Sequence, residues 1–207
     1  MKLGIIVEGH GEVSAAPVLV RRIITELIDP NLWVDILKPD RKKRNLLVKE
    51  EEFERALEAM ARRVGSDGGV LVILDADDDA PCLLGPKLLG WARSKRPDRR
   101  HGVVVAQREW EGWYLEAVES LRGKRGLLDD VERPPNPESL RDAKGWFDAR
   151  MAEGYAETLD QAAFAAELDL SAARRSDSFD KLVRDVAQLL GRTAALRPDP
   201  ADLQGSE

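Results

Sequence analysis

The sequence predicts an α/β fold: a mostly parallel four-stranded sheet flanked by helices, followed by a mainly α-helical C-terminal extension. Three observations carry this. Short apolar runs rich in β-branched residues recur at residues 3–7 (LGIIV), 70–74 (VLVIL) and 103–106 (VVVA). They lack polar alternation, as strands covered on both faces do. Helical patterns separate them, and alternation of strand and helix implies right-handed crossovers and a parallel sheet.

In chain order, residues 3–7 read as the first strand. Residues 14–28 follow as a helix with Val18, Leu19, Ile23, Ile24 and Leu27 on one face. Pro17 fits there only in the first turn, where its missing N–H costs little. Residues 32–37 (LWVDIL) are a weaker strand, interrupted by Asp35. Residues 48–64 place Phe53, Leu57, Met60, Ala61 and Val64 at helical spacing. The 70–74 strand, a looser helix over 83–94 and the 103–106 strand complete a β-α-β-α-β-α-β order. Further helices are predicted over 110–121, 139–150, 158–168 and 179–190, with a Pro-rich break at 133–137. This divides the chain into a domain over 1–118, a helical extension over 119–194 and a disordered tail over 195–207.

The chain has 207 residues and a net charge of −6, which argues against a polybasic binder. The basic clusters 38–44 (KPDRKKR) and 93–101 (RSKRPDRRH) are either solvated loops or a phosphate-backbone footprint. Cys82 is the single cysteine, so no internal disulfide and no cysteine-based zinc site can form. This suits a cytoplasmic location. No apolar run approaches the roughly 18 residues that span a bilayer, and the acidic residue at position 8 is unlike a signal peptide. No membrane partner is expected.

Chemistry-bearing residues fall at the ends of the strands, where open parallel sheets gather their ligands. The first strand runs into Glu8-Gly9-His10-Gly11-Glu12. Gly9 and Gly11 allow a tight turn and close approach to a phosphate, and the following helix would present free N–H groups. Asp75-Ala76-Asp77-Asp78-Asp79 closes the 70–74 strand. Four carboxylates in five residues repel one another where water is scarce, and a hard divalent cation removes that cost. Strand alternation would turn Asp75, Asp77 and Asp79 to one side. Glu109 and Glu111 follow the 103–106 strand, either as helix N-terminal acids or as members of the site; Glu109, nearer the strand end, is favoured. Arg108, Lys144 and Lys181 are further phosphate-contact candidates, and Trp110 and Trp113 read as packing residues.

An acid closing the first strand as Glu8-Gly9, with Asp75-x-Asp77 closing a later parallel strand, resembles the Toprim domain of topoisomerases, primases, recombination proteins and OLD-family nucleases. Ala80 stands where the topoisomerase motif has glycine. Glu8-Gly9 with Glu12, Pro17 and Arg22 is similar to the start of a Toprim-related bacterial group, domain-of-unknown-function family 4276. The segments 108–115 (REWEGWYL) and 178–182 (SFDKL) resemble later parts of that group. The resemblance implies a Toprim-like (Rossmann-like) fold. It makes Glu8 a general acid/base or metal ligand and Asp75, Asp77 and Asp79 ligands of Mg²⁺, with Mn²⁺ as a substitute. Glu109 would add a catalytic acid, and Gly9, Gly11, Arg108 and Lys144 would contact phosphate or nucleic acid. The expected function is Mg²⁺-dependent phosphoryl transfer, as a nuclease on DNA or RNA in a bacterial defence or mobile-element setting. The alternative is a non-catalytic metal- or nucleotide-binding module. No Walker motif is present, so any ATPase partner would be a separate protein.

Overall fold

The computed structural model describes residues 1–199. Strand β1 (Lys2–Val7) leads into helix α1 (Glu12–Arg22), which continues as a π-turn over Ile23–Ile28. Two short strands, β2 (Asp35–Ile36) and β3 (Asp40–Arg41), precede helices α2 (Arg44–Leu47) and α3 (Glu50–Val64). Strand β4 (Gly69–Asp75), helix α4 (Pro81–Lys95) and strand β5 (Arg100–Ala106) follow. The remainder is helical: α5 (Glu111–Glu116), α6 (Ala143–Asp148), α7 (Glu157–Glu167), α8 (Leu170–Ala173) and α9 (Asp177–Leu189), with 3₁₀ turns at Val118–Leu121, Lys124–Gly126 and Pro137–Ser139.

All pairings within the sheet are parallel, in the order β2-β1-β4-β5. β3 also pairs with β1, further along it: β2 lies against Lys2 and Leu3, and β3 against Ile6 and Val7. Of the strand expected over 32–37 only Asp35–Ile36 forms; β3 lies beyond it, in the basic stretch 38–44, and shares the same lane of the sheet. From β1 the chain moves outward to β2 and β3, then crosses to β4 on the other side. The C-terminal ends of β1 and β4 therefore flank the point where strand order reverses, which is where α/β sheets open a ligand crevice.

β1, β4 and β5 each bury both faces, which is why their sequences lack alternation. Leu3, Ile5, Val7, Leu71, Ile73, Val104 and Ala106 join one apolar cluster with α1, the π-turn and the C-terminal helices. Ile6, Val70, Val72, Leu74, Val103 and Val105 join the other, with α3 and α4. Gly4 permits the close approach of α3, because a Cβ there would lie 2.5 Å from Met60 Cγ. The segments past residue 118 share this first cluster with the sheet, and α9 lies directly on β4 and β5.

Two expectations are corrected. Pro17 lies inside α1, beyond its first turn. Burial of Ala15, Ala16, Leu19 and Val20 on the sheet holds the helix through it. The part of the presumed tail that falls within 195–199 is tied down: Ala195 N–H donates to Leu27 O at 2.8 Å, and Arg174 Nη1 donates to Ala195 O and Leu196 O at 3.0 Å each. The rest of that tail lies outside the described residues. No helix among the described residues is long and apolar enough to cross a membrane.

The sheet has two edges. β2 and β3 are two residues each. On β5, Lys181 Nζ donates to Val103 O at 2.9 Å and pairs with Asp185. The neighbouring Asp180 is almost fully buried, gripping Arg174 with one oxygen (2.7 Å) and Arg184 with the other (2.9 Å). Arg174 is as buried as its partner, so removing Asp180 strands a charge in the core. Asp180→Ala is expected to lower unfolding free energy by about 3–5 kcal/mol, read from urea melts. Arg184→Ala, which removes only the exposed partner, should cost less than about 1 kcal/mol.

Candidate functional site

β1 and β4 end side by side and deliver Glu8 and Asp75 to the crevice. The Asp75 N–H donates to Glu8 Oε2 at 3.4 Å, and Asp75 Oδ1 accepts from Trp110 N–H at 2.8 Å. α1 begins at Glu12, one turn past β1, so its first residue turns back toward the strand end. Glu12 Oε2 accepts from the Glu8 N–H at 3.0 Å and the side chain is buried. α5 places Glu111, fully buried, at the same spot. Four carboxylates from three separate segments thus share one low-dielectric pocket.

The C-terminal helices close over this group. Tyr155 Oη donates to Glu111 Oε1 at 3.0 Å and Gln161 Nε2 to the same oxygen at 2.8 Å. Lys144 Nζ pairs with Glu157 Oε2 at 3.0 Å, and Glu157 Oε1 accepts from Gly11 N–H at 3.4 Å. Glu111 Oε2 and Gln161 Oε1 are buried and have no partner. These unpaired acceptors add to the negative potential of the four carboxylates, which protons, a cation or further donors would offset.

The protonation states follow. Burial raises the Asp75 carboxyl well above its usual range, and the charges of Glu12, Glu111 and Glu8 raise it further. Burial likewise raises Glu8 and Glu111, against the opposing pull of hydrogen bonds and of Lys144. Glu12 is pushed up to about 8, chiefly by burial. Burial works against charge on Lys144, but Glu111, Glu157 and Asp75 outweigh it, and its pKa is raised. Its charge acts on Asp75, Glu111 and Glu8, and Glu8 is also drawn down by the Arg44 guanidinium.

The structure separates the predicted residues into two groups. Glu8 and Asp75 belong to the cluster. Asp77 lies at its edge, where its charge helps to raise Glu8, and the Asp77 and Asp79 carboxylates pair with Arg44 at 3.0 Å and 2.5 Å. β4 ends at Asp75, and Asp77 has a left-handed backbone with φ of 50°. Strand alternation therefore does not reach them. Glu109 faces outward and accepts from the Asp142 N–H at 3.0 Å, while Glu111 turns inward. Arg108, at φ 61°, sits in the tight turn after β5 that decides which acid enters. Lys144 serves the carboxylates directly. Gly11 is required by α7, since a Cβ there would strike Gln161 Oε1 and the Glu157 carbonyl; its φ of −68° is ordinary. A Cβ on Gly9 would crowd Glu12 Oε1 at 2.7 Å.

Glu12 is a site residue that the sequence reading did not assign to the cluster, and Glu111 is the one of the weighed pair that it passed over for Glu109. Glu12 had a signal, standing one helical turn after Glu8. Glu111 had only its place two residues from Glu109, on the other side of the turn. Of the basic clusters, 38–44 reaches the site end through Arg44, which also donates to Asp75 O and Ala76 O. The 93–101 cluster lies where β5 begins, at the opposite end of the parallel sheet. There Arg96 pairs with Glu58 and Asp98. Trp110 and Trp113 are buried packing residues. Cys82 is exposed near the start of α4. Among the described residues, no three His, Cys, Asp or Glu side chains are already arranged as a metal-binding set.

Comparison with protein-family models, with curated proteins and with solved structures returned no match in any of the three.

The buried carboxyls give stability a pH slope. Folded Glu12 keeps its proton up to about 8, whereas in the unfolded chain it ionises near its ordinary 4.5. Between these values the unfolded state releases a proton that the folded state retains. Stability from this group is therefore full below the lower value, declines as pH rises and levels off above the higher one. Glu12→Gln should gain on the parent protein steadily as urea melts are repeated from about pH 5.5 to 8.5. Parallel curves would refute this.

Proposed function

We propose that the chain is a divalent-metal-dependent phosphoryl-transfer protein, acting as a nuclease on phosphodiesters of DNA or RNA. The observation that carries this reading is the convergence of Glu8, Glu12, Asp75 and Glu111 on the crevice between β1 and β4, with Lys144 beside them. The Toprim-like motifs support it, with Glu12 and Glu111 taking the places expected of Asp77, Asp79 and Glu109.

The donor chemistry fits a hard ion. All the side-chain atoms on offer are oxygens, which Mg²⁺ and Mn²⁺ prefer. The unpartnered Glu111 Oε2 is a buried acceptor that an ion would satisfy. Glu8, Asp75 and Glu111 would hold it. When bound, such an ion neutralises charge on phosphoryl oxygens and acidifies a coordinated water. The chain's own groups do the rest. Lys144 is fixed by Glu157 and supplies positive charge for a non-bridging phosphate oxygen. Glu12, protonated near neutral pH, can hold or release a proton as charge at the crevice changes. Tyr155 and Gln161 orient Glu111. Loading requires the carboxylates to swing together and to shed their protons, so affinity rises with pH.

A second reading is a non-catalytic metal- or nucleotide-binding module working with a separate ATPase. The experiments differ for the two readings. Mn²⁺ is expected to raise the melting temperature of the purified protein more at about pH 8.5 than at about pH 6.5, by mass action on the folded state. Asp75→Asn and Glu111→Gln should abolish that rise. With labelled single-stranded DNA, duplex DNA and RNA as substrates, the same variants and Glu8→Gln should lower metal-dependent cleavage by roughly a hundredfold or more. A melting shift with no cleavage of any substrate would overturn the nuclease and leave the module.

A further inference from the structure

In front of the buried carboxylates lies a cleft of about 340 Å³ lined by Asp77, Asp78, Arg108, Glu109, Arg141 and Asp142. Its formal charge is negative, but its carboxylates are not equivalent. Asp77 is turned to Arg44. Glu109 accepts from the Asp142 N–H, and Asp142 caps its own helix by accepting from the Gly145 N–H at 3.0 Å. Only Asp78 faces the two guanidinium groups, and both reach the same oxygen. Arg108 Nη1 lies 3.3 Å and Arg141 Nη2 2.9 Å from Asp78 Oδ1.

We propose that Arg108 and Arg141 form a seat for a phosphate group, and that the Asp78 carboxylate occupies this seat as an internal substitute. The inference rests on the phosphoryl-transfer reading of the same site and names the groups that hold its substrate. Two arginines from distant segments converging on one oxygen leave most of their N–H donors unused. A guanidinium carries five, in a fork that matches the oxygens of a phosphate. The Arg108 Nε is buried and has no partner, so the pair with Asp78 leaves it unsatisfied.

The substitute is easy to displace. The side chains of Asp78 and Arg141 are 76% and 70% exposed, and ion pairs so placed hold weakly. The frame that presents the arginines is firm. Asp77, Arg108 and Asp142 all have left-handed backbones, with φ of 50°, 61° and 60°. The Asp77 N–H donates to Arg108 O at 3.0 Å, tying the turn after β5 to the turn after β4. Residues held in this way persist only where surrounding structure fixes them.

The test is binding in excess EDTA at low salt, which removes any divalent ion. The probes are inorganic phosphate and the dinucleotide thymidylyl-thymidine, titrated against the full chain by NMR and calorimetry. Asp78→Ala and Asp78→Asn remove the competitor and should bind phosphate up to about fivefold tighter than the parent protein. Arg141→Gln, at an exposed position, should bind about tenfold weaker or more, and Arg108→Gln likewise. Stronger binding of the dinucleotide would assign the seat to an internal diester, and stronger binding of phosphate to a terminal monoester; both outcomes support it. Unchanged or weaker binding by both Asp78 variants, with unchanged melting temperature, would overturn the proposal. So would indifference to Arg141→Gln. Phosphate held in this way by a protein that cleaves nothing with metal would keep the seat and end the nuclease reading.

Discussion

Like charges buried together are the constraint around which this molecule is arranged. Glu8, Glu12, Asp75 and Glu111 meet where water is largely excluded, and each raises the cost of ionising the others. A fold tolerates such a cluster only if protons, cations or donors offset it. The chain supplies all the donors it can: backbone N–H groups of Glu8, Asp75 and Trp110, the Tyr155 hydroxyl, the Gln161 amide and the Lys144 ammonium. Two acceptors are still left over. A core built for stability alone would not be made this way. Apolar residues of equal volume would hold the crevice better.

This explains why the helices after residue 118 are part of the sheet's own core and not an appendage. α6 carries Lys144 and α7 carries Gln161, while Tyr155 lies between them. Arg22 on α1 holds α7 in turn, donating to Ala165 O and Leu168 O at the end of that helix. The segments that resembled a known group in sequence therefore divide by role. Arg22 anchors a helix, Phe179 and Asp180 pack α9, and Trp113 is bonded to Ser178. Glu8, Glu12 and Glu111 stand at the carboxylate cluster.

The sheet was legible because strands covered on both faces write themselves as unbroken apolar runs, and β1, β4 and β5 all do. Strands of two residues write nothing, so β2 reads too long and β3 does not read as a strand. Glu8 and Asp75 were legible because each ends a readable strand. Asp77 and Asp79 were misplaced because strand alternation was carried past the last residue of β4, into a turn whose left-handed Asp77 redirects the chain. Glu109 and Glu111 could not be separated from sequence. Which of two acids at i and i+2 enters a pocket depends on a single turn, here the one at Arg108, and no propensity encodes it. Glu111 is buried by partners about fifty residues away, a distance over which spacing carries no signal.

The two rims of the sheet are blunted in different ways. On one, the outer lane is split into fragments too short to template a new strand. On the other, the Lys181 ammonium sits on a carbonyl that an incoming strand would need. Unprotected rims invite neighbouring molecules to add strands without limit. Here one edge is interrupted by short strands and the other has a carbonyl, that of Val103, already taken. The buried acidic cluster thus sits on a scaffold whose two edges are both poor templates for a further strand.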